Sequence, residues 1–195
     1  MARTGSAQDR YVEIAAARFA ERGFDGVSLS ALAEDAAVTR QALLHFFSTK
    51  ERLYAEVLAQ LAKRLSSEID RIDADSAEDR LIACFDALAT RALAQPDDAR
   101  LVIRALLESD ASARVWPLKA YLDKLVALTL ETRHWQGSRR EDALAALYQL
   151  IGTIQYFAIS GAALRGMFGA DTLAAMSRTY RRNIDAAIRS FVGRR

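Results

Sequence analysis

Cysteine, proline and an excess of either charge are scarce in this chain. Of its 195 residues one is cysteine, two are proline and nine are glycine, and the formal net charge is only +2. A single cysteine excludes a disulfide framework within the chain, and Cys84 stands among apolar neighbours, which predicts a buried small residue. Because strand-like alternation is absent and helix-breaking residues are few, the sequence predicts an all-α fold.

The patterns of enzymes and membrane proteins are missing as well. The sequence has two histidines far apart, no His/Glu pairing at metal spacing, no phosphate-binding glycine-rich loop and no Gly-x-Ser-x-Gly elbow. We therefore expect no enzymatic activity, no metal and no other cofactor. No apolar run is long enough to span a bilayer, and the first ten residues lack the apolar core of a signal peptide, so we expect a cytoplasmic location.

The segment from Ser28 to Lys50 carries the most informative pattern that is present. Ser28 and Thr39 each precede apolar residues at helical spacing, and a hydroxyl at that place caps the free N–H groups of a helix start. Between the two helices, residues 36–38 are small or apolar and can form a close elbow. Two short helices joined by a tight turn match a helix-turn-helix, whose second helix enters the DNA major groove. The segment therefore predicts DNA binding.

At these residues the chain resembles the tetracycline-repressor (TetR) family of transcriptional regulators. The resemblance covers residues 10–53 and rests on Phe-x-x-x-Gly-aromatic at 19–24, Ser28, Val38-Thr39 at the start of the recognition helix, and Phe47-Ser48-Thr49-Lys50-Glu51. It implies a three-helix helix-turn-helix DNA-binding domain at 1–53 and a larger helical effector-binding and dimerisation domain at 54–195. It also implies a ligand-responsive regulator, a repressor, that binds a palindromic DNA operator as a homodimer and is released by a small-molecule effector.

Candidate DNA contacts lie on and beside the recognition helix. Arg40, Gln41 and His45 cluster opposite the side formed by residues 42, 43, 46 and 47, which we expect to be buried. Arginine pairs well with guanine and glutamine with adenine, so these three are expected to read bases. Thr39 and Lys50 are expected at phosphates, because a helix start offers exposed N–H groups and a favourable dipole. The full predicted set is Ser28, Thr39, Arg40, Gln41, Leu44, His45, Phe46 and Lys50.

Four positions depart from the family pattern, and one of them is Gln41, which stands where the family commonly has Gly or Pro. Ala37 stands where the family usually has an elbow glycine, so the turn must avoid a left-handed conformation or bear modest strain. Leu44 and Phe46 stand where a phosphate-contacting Tyr and a His or Tyr are frequent in the family, and Leu44 cannot donate a hydrogen bond. These departures leave an alternative open, a helical ligand-binding or adaptor protein whose DNA binding has weakened.

Beyond residue 53 the sequence predicts a series of amphipathic helices that ends with long ones at 139–168 and 172–192. Their apolar stripes fit either a buried intramolecular pair or a four-helix bundle of two copies, and the family resemblance implies the second. Gly152, Gly161 and Gly166 cost up to ~1 kcal/mol each in a helix, which close helix–helix approach can justify. The predicted dimer-interface residues are Ile154, Ile184 and Ile188.

The effector site is predicted from aromatic residues with a few polar atoms, since small-molecule pockets are mostly apolar with a few placed polar groups. The chosen residues are Tyr121, Tyr148, Gln155 and Tyr156. The alternative is that each aromatic residue simply packs in a core. Few charges fall at buried positions of the pattern, which favours an apolar or aromatic effector.

Overall fold

The computed structural model describes residues 6–107 and 117–193, and within them every regular element is a helix. The helices are α1 (Ala7–Arg22), α2 (Leu29–Asp35), α3 (Arg40–Phe47), α4 (Lys50–Arg71), α5 (Ala77–Ala94), α6 (Pro96–Leu107), α7 (Leu118–Glu131), α8 (Arg140–Ile159), α9 (Gly161–Phe168) and α10 (Ala170–Phe191). The all-α prediction is confirmed, with the N-terminal helix-turn-helix followed by a larger helical region.

Hydroxyl caps set where the N-terminal helices begin. The Ala31 N–H donates to Ser28 Oγ at 3.1 Å and the Ala42 N–H donates to Thr39 Oγ1 at 3.1 Å. The Arg52 N–H donates to Thr49 Oγ1 at 3.2 Å at the start of α4. Each bond satisfies a donor that has no partner inside its helix. The predicted starts of α2, α3 and α4 are therefore confirmed.

The elbow between α2 and α3 takes the strained form of the two that the sequence allowed. Ala37 has φ 55°, in the left-handed region that favours glycine. Two hydrogen bonds hold the turn: the Ala37 N–H donates to the Glu34 carbonyl at 3.0 Å and the Val38 N–H to the Ala33 carbonyl at 2.9 Å. A side chain in this conformation costs about 1 kcal/mol or somewhat more relative to the right-handed helix. The missing glycine thus costs stability and leaves the turn intact.

The described residues divide into two compact units. The smaller unit contains residues 6–63, 100–107 and 117–118, and the larger contains 64–99 and 119–193. Both α4 and α6 contribute residues to each unit, and the predicted boundary after residue 53 falls inside α4, where it stays a prediction. Fully buried side chains form a separate core in each unit: Phe19, Leu32, Leu43, Leu53 and Tyr54 in the smaller, and Leu81, Phe85, Leu125, Leu147, Ile154 and Ile188 in the larger.

The helix predicted at 139–168 is in fact two helices. It breaks at Ser160, where α8 and α9 meet at a bend of 54°. Ser160 Oγ donates to the Tyr156 carbonyl at 2.6 Å and Gly161 follows, a Ser/Gly pair of the kind at which helices kink. Over the described part of the chain no single helix is both long and apolar enough to cross a membrane, although α8 and α9 reach that length and composition together as a bent pair.

Candidate nucleic-acid interface

Helix α3 presents a polar face to solvent and anchors its opposite face in the core. Leu43 and Phe47 are buried, one turn apart, whereas Gln41 and His45 are exposed. Because an α-helix turns about 100° per residue, Gln41 and His45 point away from the line of Leu43 and Phe47. Arg40 is also exposed in the first turn of the helix. The structure therefore brings together the three side chains expected to read bases, on a surface that DNA can reach.

Ser28 and Thr39 are the N-caps of α2 and α3. Ser28 and Thr39 are exposed, and each uses its hydroxyl oxygen to accept a backbone hydrogen bond at the start of α2 or α3. Both hydroxyl groups retain a proton to donate, so capping does not prevent a contact with a phosphate oxygen. The other expected phosphate contact, Lys50, lies at the first residue of α4 and is half-buried.

Two of the four residues predicted on the buried side of α3 are placed differently. Phe46 is 44% exposed, so the expectation that it is buried is wrong. Its ring packs edge-on against Tyr11 with the centroids 5.5 Å apart. Ala42 and, on the other flank, Leu44 are half-buried. The reason is geometric: α3 is two turns long, and only Leu43 and Phe47 fall on its inward line.

Lys50 has internal contacts that the sequence did not reveal. Its Nζ donates to the carbonyls of Phe24 at 3.0 Å and Val27 at 3.1 Å, and it lies 4.1 Å from the centroid of the Phe24 ring. Two of the three ammonium donors therefore stabilise the loop between α1 and α2. A lysine at a helix start opposes the helix dipole. These internal contacts account for its presence there, so a DNA contact is not needed to explain it. The phosphate contact of Lys50 stays a prediction, now restricted to its third donor.

A paired arginine holds α2 against α1. Arg18 donates from Nε to Asp35 Oδ2 and from Nη2 to Asp35 Oδ1, both at 2.6 Å. The Arg18 guanidinium, chiefly through these hydrogen bonds, holds the pKa of the Asp35 carboxyl below its usual value. Arg10 Nη2 donates to the Ala36 carbonyl at 3.1 Å, next to the elbow. These contacts attach α2 and the elbow that precedes α3 to α1.

Among the described residues, a small cavity lies in the larger unit between α4, α5 and α7. Its lining residues are Leu65, Glu68, Ile69, Ile72, Cys84, Ala87, Leu88 and Tyr121, and it has room for about one water molecule. Burial raises the pKa of the Tyr121 hydroxyl and raises that of the Cys84 thiol to about 11. Both groups are therefore neutral hydrogen-bonding groups at physiological pH. The described residues contain no group of His, Cys, Asp or Glu that could hold a metal ion.

The four residues chosen for the effector do not form one site in this structure. Tyr121 lines the cavity, but Tyr148 and Tyr156 are 50% and 72% exposed on the outer face of α8, and Gln155 is half-buried. The inner face of α8 is formed by Leu147, Ile151 and Ile154 instead. Aromatic content alone could not distinguish the two faces of this helix, because both carry large apolar residues.

The isoleucines chosen for the dimer interface are buried within a single chain, so that assignment is wrong. Ile154, Ile184 and Ile188 are at most 4% exposed and belong to the core where α8 and α10 pack together. A stacked pair with ring centroids 3.9 Å apart, Phe157 and Tyr180, joins the same two helices. The apolar stripe that predicted these residues is accounted for by the intramolecular helix pair.

Large apolar side chains on α8 and α9 are also exposed, and the sequence pattern, which singled out two of them and the glycines beside them, did not group them as one surface. The large members of this surface are Tyr148, Tyr156, Met167 and Phe168. Gly152, Gly161 and Gly166 lie in the same helices, and a Cβ added to any of them would meet no atom of the described residues within 4 Å outside its own stretch of helix. Within the described part of the chain, no close helix–helix approach therefore accounts for these glycines. We refer to the four large residues and three glycines as the outer face.

Comparison with known proteins adds independent information to this geometry. Residues 12–57 match the model of the bacterial regulatory proteins of the tetR family. No curated protein matches the chain in sequence. A TetR transcriptional regulator from Legionella pneumophila is 17% identical, with a TM-score of 0.68 over 95% of this chain and 98% of that one.

Two further solved structures share the fold. The fatty acid degradation regulator FadR from Bacillus halodurans is 19% identical, with a TM-score of 0.65 over 94% of this chain and 97% of that one. AibR, in complex with isovaleryl coenzyme A and operator DNA, is 17% identical, with a TM-score of 0.62 over 78% of this chain and 86% of that one. At these identities the comparison of structures establishes a common fold.

Proposed function

We propose that this chain, which belongs to the TetR family of bacterial transcriptional regulators, is a ligand-responsive repressor. It binds a palindromic operator as a homodimer. The observation that carries this proposal is the exposed polar start of α3, with Arg40, Gln41 and His45 on a helix whose other side is anchored by Leu43 and Phe47. A helix-turn-helix inserts such a face into the major groove, where side chains at the start of the second helix contact base edges.

Arg40 and Gln41 are the proposed base-reading residues, with His45 one turn further along. A good bidentate pair of arginine with guanine or glutamine with adenine contributes about 1–3 kcal/mol of discrimination. Ser28 and Thr39 contact phosphates from the starts of α2 and α3, where exposed N–H groups favour an anion. These contacts are local, which agrees with a chain that carries almost no net positive charge.

Phe46 and Leu44 contribute apolar contacts in place of the hydrogen bonds that many family members make at these positions. Phe46 is accessible beside His45, and an aromatic ring can pack against a thymine methyl group. Leu44 is half-buried and supports the helix from the other flank. The alternative, an adaptor with weakened DNA binding, follows from the same two residues and predicts no specific complex with any operator.

Dimerisation is proposed through the outer face, in place of the isoleucines that the sequence suggested. Exposed apolar surface of this kind marks sites of protein association. Gly152, Gly161 and Gly166, which have open space above them in the described part of the chain, allow a helix of a second copy to approach closely. In a two-fold dimer the same patch serves both copies. The two helix-turn-helix units of the dimer then meet two half-sites of the operator. The half-sites are separated by about one helical turn of DNA, 34–36 Å, or by a multiple of that distance.

The effector is proposed to enter the cavity around Tyr121. The lining is apolar except for the Tyr121 hydroxyl, the Cys84 thiol and the Glu68 carboxylate, and Glu68 is paired with Arg91. An apolar or aromatic molecule with one hydrogen-bonding group fits this chemistry. Small-molecule sites measure about 300–1,000 Å³, so the cavity must open around its ligand. An effector that favours the open state shifts the population toward it in proportion to its differential affinity.

A mobility-shift assay with DNA from upstream of the chain's own coding region tests the proposal. We expect a specific shift with a palindromic segment and at least tenfold weaker binding of a scrambled segment of equal length. The double substitution Arg40→Ala and Gln41→Ala should abolish this preference, while Arg22→Ala, an exposed residue on α1, should preserve it. Equal binding of both DNAs by the unaltered chain would reject the proposed function and favour the adaptor.

A further inference from the structure

The C-terminal end of α1 is closed by an arginine from a distant part of the chain. The last four carbonyls of any α-helix lack partners inside the helix. In α1 the Phe19 carbonyl accepts from the Gly23 N–H at 2.9 Å. The next two carbonyls, of Ala20 and Glu21, accept from Arg104 Nε at 3.0 Å and Arg104 Nη2 at 2.7 Å. Arg104 belongs to α6, more than eighty positions away along the chain.

The backbone of α1 leaves room for this guanidinium. Gly23 has φ 74°, and a Cβ added there would lie 3.0 Å from Arg104 Nη1. The glycine that ends α1 therefore also provides the space that the arginine occupies. A cation at a helix C-terminus is further stabilised by the helix dipole. Steric room, two hydrogen bonds and the dipole all favour this one position of the Arg104 head group.

Helix α6 is continuous from the larger unit to the smaller one. Its first turn, through Ala99, belongs to the larger unit, where Asp98 accepts from Arg64 Nη2 at 2.5 Å. Its later turns, with Arg104, belong to the smaller unit together with α1. Arg104 thus attaches α1 to a helix outside the helix-turn-helix. The pair of Arg18 and Asp35 in turn attaches α2 to α1.

We propose that Arg104 is a positioning residue for DNA binding. By closing the end of α1, it holds α2 and α3 in the arrangement that engages the operator. Arg104 touches no base or phosphate in this mechanism. When the hydrogen bonds of Arg104 are lost, α1 samples other positions on α6. The fraction of molecules in the binding arrangement then falls. The apparent dissociation constant rises by the same factor. This inference rests on the proposed function, since it concerns the same helix-turn-helix.

Substitution of Arg104 by methionine is the test, because methionine keeps much of the stem and removes every donor. For operator DNA we expect binding about tenfold weaker with R104M, which corresponds to a tenfold smaller fraction of molecules in the binding arrangement. R104K should restore binding to within about twofold of the unaltered protein, since a lysine can serve two carbonyls at once, as Lys50 does. R22M removes an exposed arginine from the last turn of α1 and should leave binding unchanged.

The measurements are made well below the unfolding temperature, with circular dichroism and sedimentation showing the same helicity and oligomeric state for all variants. If R104M does not fold, R104Q replaces it, with an intermediate loss expected from its single neutral donor group. Equal affinity of the unaltered protein and R104M, or a loss that R104K does not relieve, would overturn the positioning role alone. Failure of the unaltered protein to bind any operator would instead reject the proposed function.

Discussion

Replacing Lys50 by methionine separates the two roles open to this residue, a structural one and a DNA contact. The substitution removes an ammonium group that donates to the Phe24 and Val27 carbonyls and lies over the Phe24 ring. Hydrogen bonds from a charged donor contribute about 1.5–3 kcal/mol each, and an exposed cation–π contact about 0.5–1 kcal/mol. Because Lys50 is half-buried, water can reach part of the loop and replace some of the lost hydrogen bonds. We expect the free energy of unfolding to fall by about 2 kcal/mol.

Thermal unfolding at fixed protein concentration measures this loss. For a chain of this length a change of 1 kcal/mol shifts the melting temperature by about 2–4 °C, so K50M should melt about 4–8 °C lower. The matched control is R52M, which removes a cation from the same first turn of α4 where the side chain is exposed. Exposed substitutions of this kind usually change stability by less than about 0.5 kcal/mol.

A phosphate contact would give a different pattern. Loss of one contact reduces the slope of log affinity against log salt by about 0.9 and weakens binding evenly across sequences, with no change in melting temperature. The structural interpretation of Lys50 is refuted if K50M melts with the unaltered protein while its salt slope falls by that amount. A lowered melting temperature with an unchanged salt slope would remove Lys50 from the list of phosphate contacts.

Three further predictions test other parts of the structure. Tyr156→Asp, on the outer face, should yield a folded monomer by sedimentation with weakened operator binding, whereas Ile188→Asp buries an unpaired charge and should unfold the chain; a folded dimeric Y156D would reject the outer face as the interface. Arg40→Ala and Gln41→Ala should each lower affinity by about 1–3 kcal/mol for the operator only, and an equal loss on non-specific DNA would show phosphate contacts instead. Burial raises the pKa of Tyr180 to about 12, so folding retains a proton that the unfolded chain loses near pH 10, and stability should fall from pH 10 to 12, less steeply in Y180F; identical curves for both proteins would contradict this.

Local sequence signals predicted the helix-turn-helix accurately because the interactions that define it are local. Ser28, Thr39 and Thr49 each accept from an N–H three residues ahead, so the residues that cap a helix and the helix itself are neighbours in the sequence. The elbow shows the limit of this reasoning. An alanine at position 37 allowed a relaxed or a strained turn, and the structure has the strained one, with φ 55° at Ala37.

Apolar patterns predicted the terminal helices but not the partners of their faces. An intramolecular helix pair and an interface between copies bury the same types of side chain at the same spacing, so Ile184 and Ile188 fit both. The structure assigns them to the core and leaves Tyr148 and Tyr156 outside, although all four look alike in a one-dimensional pattern. The bend at Ser160 was missed for a related reason, since the apolar spacing continues through it.

Long-range contacts also limit what a count of basic residues can indicate about DNA binding. Of the basic residues in the described part of the N-terminal region, Arg10 and Lys50 donate to backbone carbonyls and Arg18 pairs with Asp35. These contacts occupy donors of all three cations and stabilise the N-terminal helices. Arg40 and Arg52 remain exposed near the start of α3 and in the first turn of α4. In the proposed operator complex, binding therefore depends on a few well-placed side chains and on the N-terminal N–H groups of the short helices, which a count of charges does not register.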